Sequence, residues 1–257
     1  MVVSAHQPQY LPWIGYFHKI AHCDAFVVLD NVQYKKREYQ NRNKIRTSGL
    51  PLWLTVPVVT KGQREQVIQD VKIEAGCSWA EDHWKSLRQH YGRALFFQDH
   101  APFIESLYGK SWDRLMDVNM EIISYLLRCF SIPTVIYFES ALKIEGEKTD
   151  RLVAICRKLG AREYLSGAGG KDYLEEDKFK KADIRLTYQS FTHPVYPQVY
   201  PGFESHLSAV DLLLNCGPES RRYVSGDQPP ISAFPHKGGR EIKIPSPPVG
   251  EGWGEGG

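Results

Sequence analysis

The first thirty residues restrict the fold more than any other stretch of the chain. Residues 2–5 (VVSA) read as a short strand and residues 6–12 (HQPQYLP) as a Pro-rich turn. Trp13, Ile14, Phe17 and Ile20 then recur at helical spacing in a segment running to His22. A second continuous apolar run, residues 25–29 (AFVVL), ends at Asp30. Strand, turn, helix and strand in so short a span make a βαβ unit, and the uninterrupted apolar strands belong to a parallel sheet buried on both faces. Pro12 suits the first helical position, where its missing N–H forfeits no helical bond.

The alternation continues. Residues 52–59 (LWLTVPVV), 67–73 (VIQDVKI), 134–138 (TVIYF), 164–166 and 184–191 read as strands. Helical patterns cover about 79–91, 101–109, 112–131, 149–159, 172–181 and 207–214. In 112–131 the stripe Leu115, Val118, Ile122, Ile123, Leu126 and Leu127 is expected to lie on the sheet. Thr149 is expected to cap its helix and Gly160 to end it. Ser208 is expected to cap the last helix, with Asp211 three residues on in a capping-box-like place. The fold class is therefore α/β: a Rossmann-like, mainly parallel sheet flanked by helices, with a helical insertion at about 79–131. Residues 1–224 are expected to form one domain. The last 33 residues hold 14 Gly and Pro. Such a segment buries too little surface to offset its ordering entropy and is expected to be disordered, a Pro-rich docking tail being the alternative.

Lys and Arg total 32 against 30 Asp and Glu, a net charge of +2. Neither nucleic acid nor an anionic membrane is therefore an expected partner, and an anionic ligand has to be met by a local basic cluster. No run approaches ~20 apolar residues, so no membrane-spanning helix is expected. The stretch MVVSAHQPQYLPW has neither the basic region nor the apolar run of a signal peptide, and the expected location is the cytoplasm. Five cysteines (Cys23, Cys77, Cys129, Cys156, Cys216) without a CxxC fit neither a disulfide framework nor a zinc ribbon. Cys129 and Cys156 read as small core residues. His83 and His90 stand seven apart on one helix face, too few ligands for a metal, and no metal site is assigned.

Four groups of residues have the makings of a site. The first is HQPQYLPWIGYFHK, residues 6–19, at the carboxyl end of the first strand. Ligands of open parallel sheets bind there, and the following helix N-terminus attracts anions. His6 is placed to move a proton or stabilise negative charge, Gly15 admits a close approach, and Gln7, Tyr10 and Tyr16 supply polar contacts. The second is Asp30 with Asn31, Gln33 and the basic run containing Arg42 and Lys44, suited to a ribose hydroxyl or metal and to phosphates respectively. The third is Arg151 together with Ser166, Gly167, Gly170 and Tyr173. Here a glycine-rich turn between strand and helix exposes N–H groups to an anion. It is neither a Walker loop nor GxGxxG, and it is expected to form the opposite wall of the cleft that begins at His6. The fourth is loop-borne, with His193 and Gln198 ahead of the last helix; no GxSxG elbow accompanies Ser208.

Together HQPQYLPWIGYFHKI, DAFVVLDNVQYKKREYQNRNKI, LTVPV, TDRLVAICRKLGAREYLSGAGGKDYL and YPQVYPGFESHLSAVDLLLNCG resemble the WbqC-like family, over about residues 1–224. The family is tied to O-antigen and other surface-polysaccharide gene clusters. The resemblance implies a group transferase that decorates a sugar, glycyl or acyl transfer to an amino sugar being the specific expectation. Its partners would be a small activated donor and a nucleotide- or carrier-linked sugar acceptor. The implied mechanism places the anionic donor at the helix N-terminus after Pro12, with His6 and Asp30 catalytic and the loop around Arg42 holding phosphates. PWIGYF is also similar to the HxGH-type loop of nucleotidylyltransferases, which use ATP or CTP with Mg²⁺. Tyr16 stands where the second His belongs, and His18 follows two residues later. The non-enzymatic alternative is a scaffold protein of the assembly machinery.

Overall fold

A computed structural model describes residues 1–63 and 65–227. Its strands are β1 (Val2–His6), β2 (Ala25–Val28), β3 (Arg42–Ile45), β4 (Leu52–Thr55), β5 (Val135–Phe138), β6 (Glu163–Ser166) and β7 (Arg185–Tyr188). Its helices are α1 (Ile14–Ala21), α2 (Trp79–Tyr91), α3 (Phe97–Gly109), α4 (Leu115–Cys129), α5 (Glu139–Leu142), α6 (Lys148–Leu159), α7 (Glu176–Lys181), α8 (Ala209–Cys216) and α9 (Ser220–Ser225). Five strands form one parallel sheet in the order β5-β2-β1-β6-β7, and β3 and β4 form an antiparallel hairpin. This is the α/β, Rossmann-like architecture that the alternation implied.

Side chains alternate across the sheet, so each face has its own core. Phe26 and Val28 point to the face covered by α1, where Ile14, Phe17 and Ile20 are fully buried. Each such side chain contributes about 1.5–3 kcal/mol by leaving water. Val3, Ala5, Ala25 and Val27 point to the other face, against Leu152, Ile155 and Cys156 of α6 and Phe179 of α7. The helical insertion, α2 to α4, joins the α1 core. The α4 stripe packs mainly on the 68–70 turn and on α8 rather than on the sheet.

Other expectations shift for identifiable reasons. Residues 67–73 do not form a strand: Ile68–Asp70 is a 3-10 turn. Ile68 and Val71 are fully buried together, and a three-residue period brings them to the same side. β4 stops at Thr55, two residues before Pro57, which lacks a ladder donor. β7 stops at Tyr188, and residues 189–206 run as an irregular strap past α1. Pro12 precedes the N-cap Trp13 instead of opening the helix: its carbonyl accepts from Ala209 N (2.8 Å), and Trp13 bridges to Ser208. Glu147, not Thr149, is the N-cap of α6, and Thr149 Oγ1 accepts from Glu175 N (3.2 Å) instead. The helix expected over 172–181 starts later, α7 covering Glu176–Lys181 after the 3-10 turn Ala168–Asp172. Cys156 is buried and Cys129 half-buried. The expectation of disorder from Ser225 falls, beyond the last turn of α9, on residues 228–257, outside the described residues.

Candidate functional site

The chain leaves β1 for β2 and β5 on one side, and later enters β6 and β7 on the other. The order therefore reverses between β1 and β6, and loops leaving the carboxyl ends of those strands part company. Val2 pairs with Glu163 and Val3 with Tyr164. Carried forward, that register puts Gly167 across from His6, and Ser4 Oγ ties the strands by donating to Leu165 O (2.7 Å). Two of the groups read from the sequence thus meet at one crevice: His6 and Gln7 from β1, Ser166, Gly167 and Gly170 from β6. Gly170 is required there, because a β-carbon would collide with Ser166 Oγ.

His6 is partly buried, its ring edge-on to Tyr16 (5.4 Å between centroids). Burial and the nearby Lys19 ammonium push its pKa down to about 3, so it is neutral near pH 7. Its Nδ1 lies 3.0 Å from Gln7 O, which assigns the proton to Nδ1 and leaves the Nε2 lone pair to accept. Lys19 reaches under the same strand end. It is 4% exposed, its Nζ donates to Ala5 O (3.3 Å), and a β-carbon at Gly167 would stand 3.9 Å from that nitrogen. Burial pulls its pKa down to about 7. The Tyr16 hydroxyl is buried without a partner, and burial raises its pKa. Lys19 was not singled out from the sequence. The signal available was a lysine inside WIGYFHKIA, where the surrounding helix is buried almost throughout.

The strap completes the crevice wall. Gln189 N donates to Ser166 O (2.8 Å), and Gln189 Nε2 donates to Gly15 O (2.9 Å) and lies 2.9 Å from His18 Nδ1. The N-terminus of α1 is roofed: the Trp13 indole folds over Gly15, where a β-carbon would collide with it, and stacks on His206. Gly15 thus admits the Trp13 ring rather than a ligand.

The remaining predicted residues are placed elsewhere. Asp30 caps α5: its carboxylate accepts from Ser140 N (2.9 Å) and Ser140 Oγ (2.5 Å). Next to it, Arg151 donates to buried Glu139 (2.6 Å), Asn31 O (3.2 Å) and Gly146 O (3.1 Å), so this group closes the ends of β2 and β5. Burial raises the Glu139 pKa and Arg151 opposes the rise. Tyr10 is a core residue, 0% exposed, with its hydroxyl 2.7 Å from both His83 Nδ1 and the Tyr108 hydroxyl. Arg42 and Lys44 lie on the outer face of the hairpin, over the Trp53 ring at 4.5 and 5.1 Å. Gln33 bridges to Val67, and Tyr173 stands exposed beyond the β6 loop. Gln198 spends its amide on Glu204 and Asp211. Ser208 is the N-cap of α8, its Oγ accepting from Val210 N (3.2 Å). Asp211, however, turns inward to the Tyr196 hydroxyl (2.8 Å) instead of completing a capping box.

Among the described residues no three His, Cys, Asp or Glu side chains are grouped to hold a metal ion, and no helix is long and apolar enough to cross a membrane. Two concavities lie away from the crevice. One is a small apolar cavity lined by residues such as Leu87, Ile104, Ile122 and Leu213; the other is an open groove along α6. Neither offers convergent polar groups on a strand end.

A doubly wound α/β protein, with His6, Lys19 and the Ser166–Gly170 turn gathered at its switch point, is the class that fold and geometry define. A model of the WbqC-like protein family matches residues 7–223, and the chain belongs to that family. It is also 34% identical over 224 residues to "Uncharacterized protein Rv1507c" of Mycobacterium tuberculosis (strain ATCC 25618 / H37Rv), covering 86% of this chain and 96% of the relative. No solved structure matches.

Proposed function

We propose that this protein is a cytoplasmic group transferase of surface-polysaccharide biosynthesis. It moves a glycyl or other acyl group from an activated donor to the amine of a nucleotide- or carrier-linked sugar. The observation that carries the chemical part is the meeting of the His6 imidazole and the buried Lys19, whose Nζ donates to Ala5 O (3.3 Å) beside Gly167, at one strand end where burial favours the neutral form of each. The family's setting supplies the acceptor class.

In such a transfer the sugar nitrogen forms a bond to the acyl carbon, the carbonyl oxygen becomes an oxyanion and the donor's leaving group departs. The amine loses one proton, which passes to the neutral Lys19 amine and from the resulting ammonium to the departing group. With a pKa of about 3, His6 is too weak a base to take that proton, but its Nε2 accepts a hydrogen bond and orients the amine. Burial disfavours the ammonium form of Lys19 and pulls its pKa down to about 7. Lys19 is suited to stabilise the oxyanion as ammonium or to exchange a proton as amine. The neighbouring Gly167–Gly170 turn lets a donor's anionic group approach the backbone closely. Asp30 and Arg151 act as supports of the adjoining strand ends. A Mg²⁺ would enter with nucleotide phosphates, not on a protein cage.

The test is a thermal-shift screen of the full chain with ATP, CTP, nucleotide-sugars and acyl donors, each with and without Mg²⁺, repeated on Lys19→Met and His6→Ala. A ligand at ~100 times its Kd adds about 2.7 kcal/mol to native stability. Stabilisation by a nucleotide-sugar or acyl donor, lost in Lys19→Met, supports the proposal. Stabilisation only by a nucleoside triphosphate with Mg²⁺, accompanied by pyrophosphate release, would replace it with nucleotidylyl transfer. Indifference to every ligand would move the protein to a scaffold role.

A further inference from the structure

The β3–β4 hairpin carries apolar and basic side chains together at the surface. Its register pairs Lys44 with Trp53 and Asn43 with Leu54. One face therefore turns Asn43, Ile45 and Leu54 into the core, with Leu52 on that side at the hairpin end, and the other presents Trp53 beneath the two cations that cover its ring. At the turn, Leu50 is 89% exposed, and Leu52 and Trp53 beside it are 38% and 39% exposed. The segment leading into the hairpin carries Lys35, Lys36 and Arg37, all exposed, and the Arg37 carbonyl accepts from the Arg42 guanidinium. From residue 33 to residue 45 five basic residues, Lys35, Lys36, Arg37, Arg42 and Lys44, stand against one acid, Glu38, in a chain whose net charge is only +2. The positive field is thus local to this hairpin.

We propose that the hairpin docks the protein on an anionic lipid bilayer, Leu50 at the turn entering the headgroup–acyl boundary and the basic side chains lying on the lipid phosphates. Charge complementarity chooses an anionic partner. The aliphatic tip chooses a bilayer over a soluble polyanion: Leu50 gains nothing against phosphates or sugars in water, but leaves water when it enters the acyl boundary. An indole with cations on its face suits the headgroup level, where Trp is enriched in membrane-associated proteins. Docking of this kind needs no spanning helix. It is independent of the transfer chemistry, because none of these residues lines the crevice.

Co-sedimentation of the full chain with vesicles tests it, using about one-third phosphatidylglycerol in phosphatidylcholine against pure phosphatidylcholine, at low and high salt. The expected result is binding to the anionic vesicles alone, weakened by salt. Neutralising Lys35, Lys36 and Arg37 together to Gln should weaken binding by roughly fivefold per charge. Leu50→Asp should weaken it by about tenfold or more. Both variants change exposed side chains, and unchanged thermal melts show that they remain folded. Equal sedimentation with both vesicle types, or none, overturns the proposal. So does binding that Leu50→Asp leaves intact while a soluble polyanion competes it away, which would assign the surface to a polyanion instead.

Discussion

Replacing Asp211 with asparagine should remove part of the protein's pH dependence of stability. Asp211 is fully buried in α8; its Oδ2 accepts from the Tyr196 hydroxyl (2.8 Å) and Gln198 Nε2 (2.9 Å). Burial raises its pKa from 3.8 to about 6, against the lowering pull of Tyr196, Tyr91, Gln198 and Arg46. The folded pKa lies above the unfolded one, so this group's stabilisation is whole below about pH 4 and is lost as the pH rises through about 6. A displacement of about two pH units is worth about 3 kcal/mol. Asparagine keeps an oxygen for Tyr196 and Gln198 but cannot ionise. The stability of Asp211→Asn minus that of the natural protein should therefore rise by about 3 kcal/mol between pH 4 and pH 8. Urea unfolding at several pH values measures the difference, which cancels every other titrating group. A flat or falling difference would refute the argument that burial, not the hydrogen bonds, governs this carboxyl.

Three further outcomes follow from the same geometry. Burial pushes the pKa of His83 down to about 4, below the 6.5 of the free group, so its contribution is whole above pH 6.5 and drains away as the pH falls toward 4. His83→Gln should accordingly lose less stability on acidification, read as the shift of the urea midpoint. Tyr10→Phe removes the hydroxyl shared by His83 and Tyr108 and should cost about 1–3 kcal/mol, with ligand affinity at the crevice unchanged by calorimetry. Gly15→Ala has to expel the Trp13 ring from its seat and should cost about 1–3 kcal/mol with an altered tryptophan emission; an unperturbed spectrum would mean that the indole does not rest there.

The parallel sheet was legible because its strands are continuous apolar runs separated by helical spacings, and residues 2–30 alone display the repeating unit. The crevice was half legible. His6 and the Ser166–Gly170 turn stand where strands end, and ends of neighbouring strands in a parallel sheet lie at one edge. Lys19 escaped notice because local sequence does not say which way a helical lysine points; α1 is covered by the sheet on one side and by the strap of residues 189–206 on another. Asp211 was misplaced for the opposite reason. Its spacing from Ser208 satisfies a local capping rule, but Tyr196 and Gln198, brought in by the strap, outcompete the helix N-terminus. Arg42 and Lys44 fit phosphates by charge alone. Only the pairing of β3 with β4 reveals that their partner is Trp53.

The central claim is that Lys19 is an ionisable group at the floor of a ligand crevice. It is tested most directly by carbon-13 NMR of the lysine Cε resonances across a pH titration, with Lys19→Met giving the assignment and inorganic pyrophosphate as the probe anion. The Lys19 midpoint is expected near 7, well below the ordinary 10.5, and rises when the anion binds and stabilises the ammonium. A midpoint at the ordinary value, or one that the bound anion leaves unmoved, would contradict it.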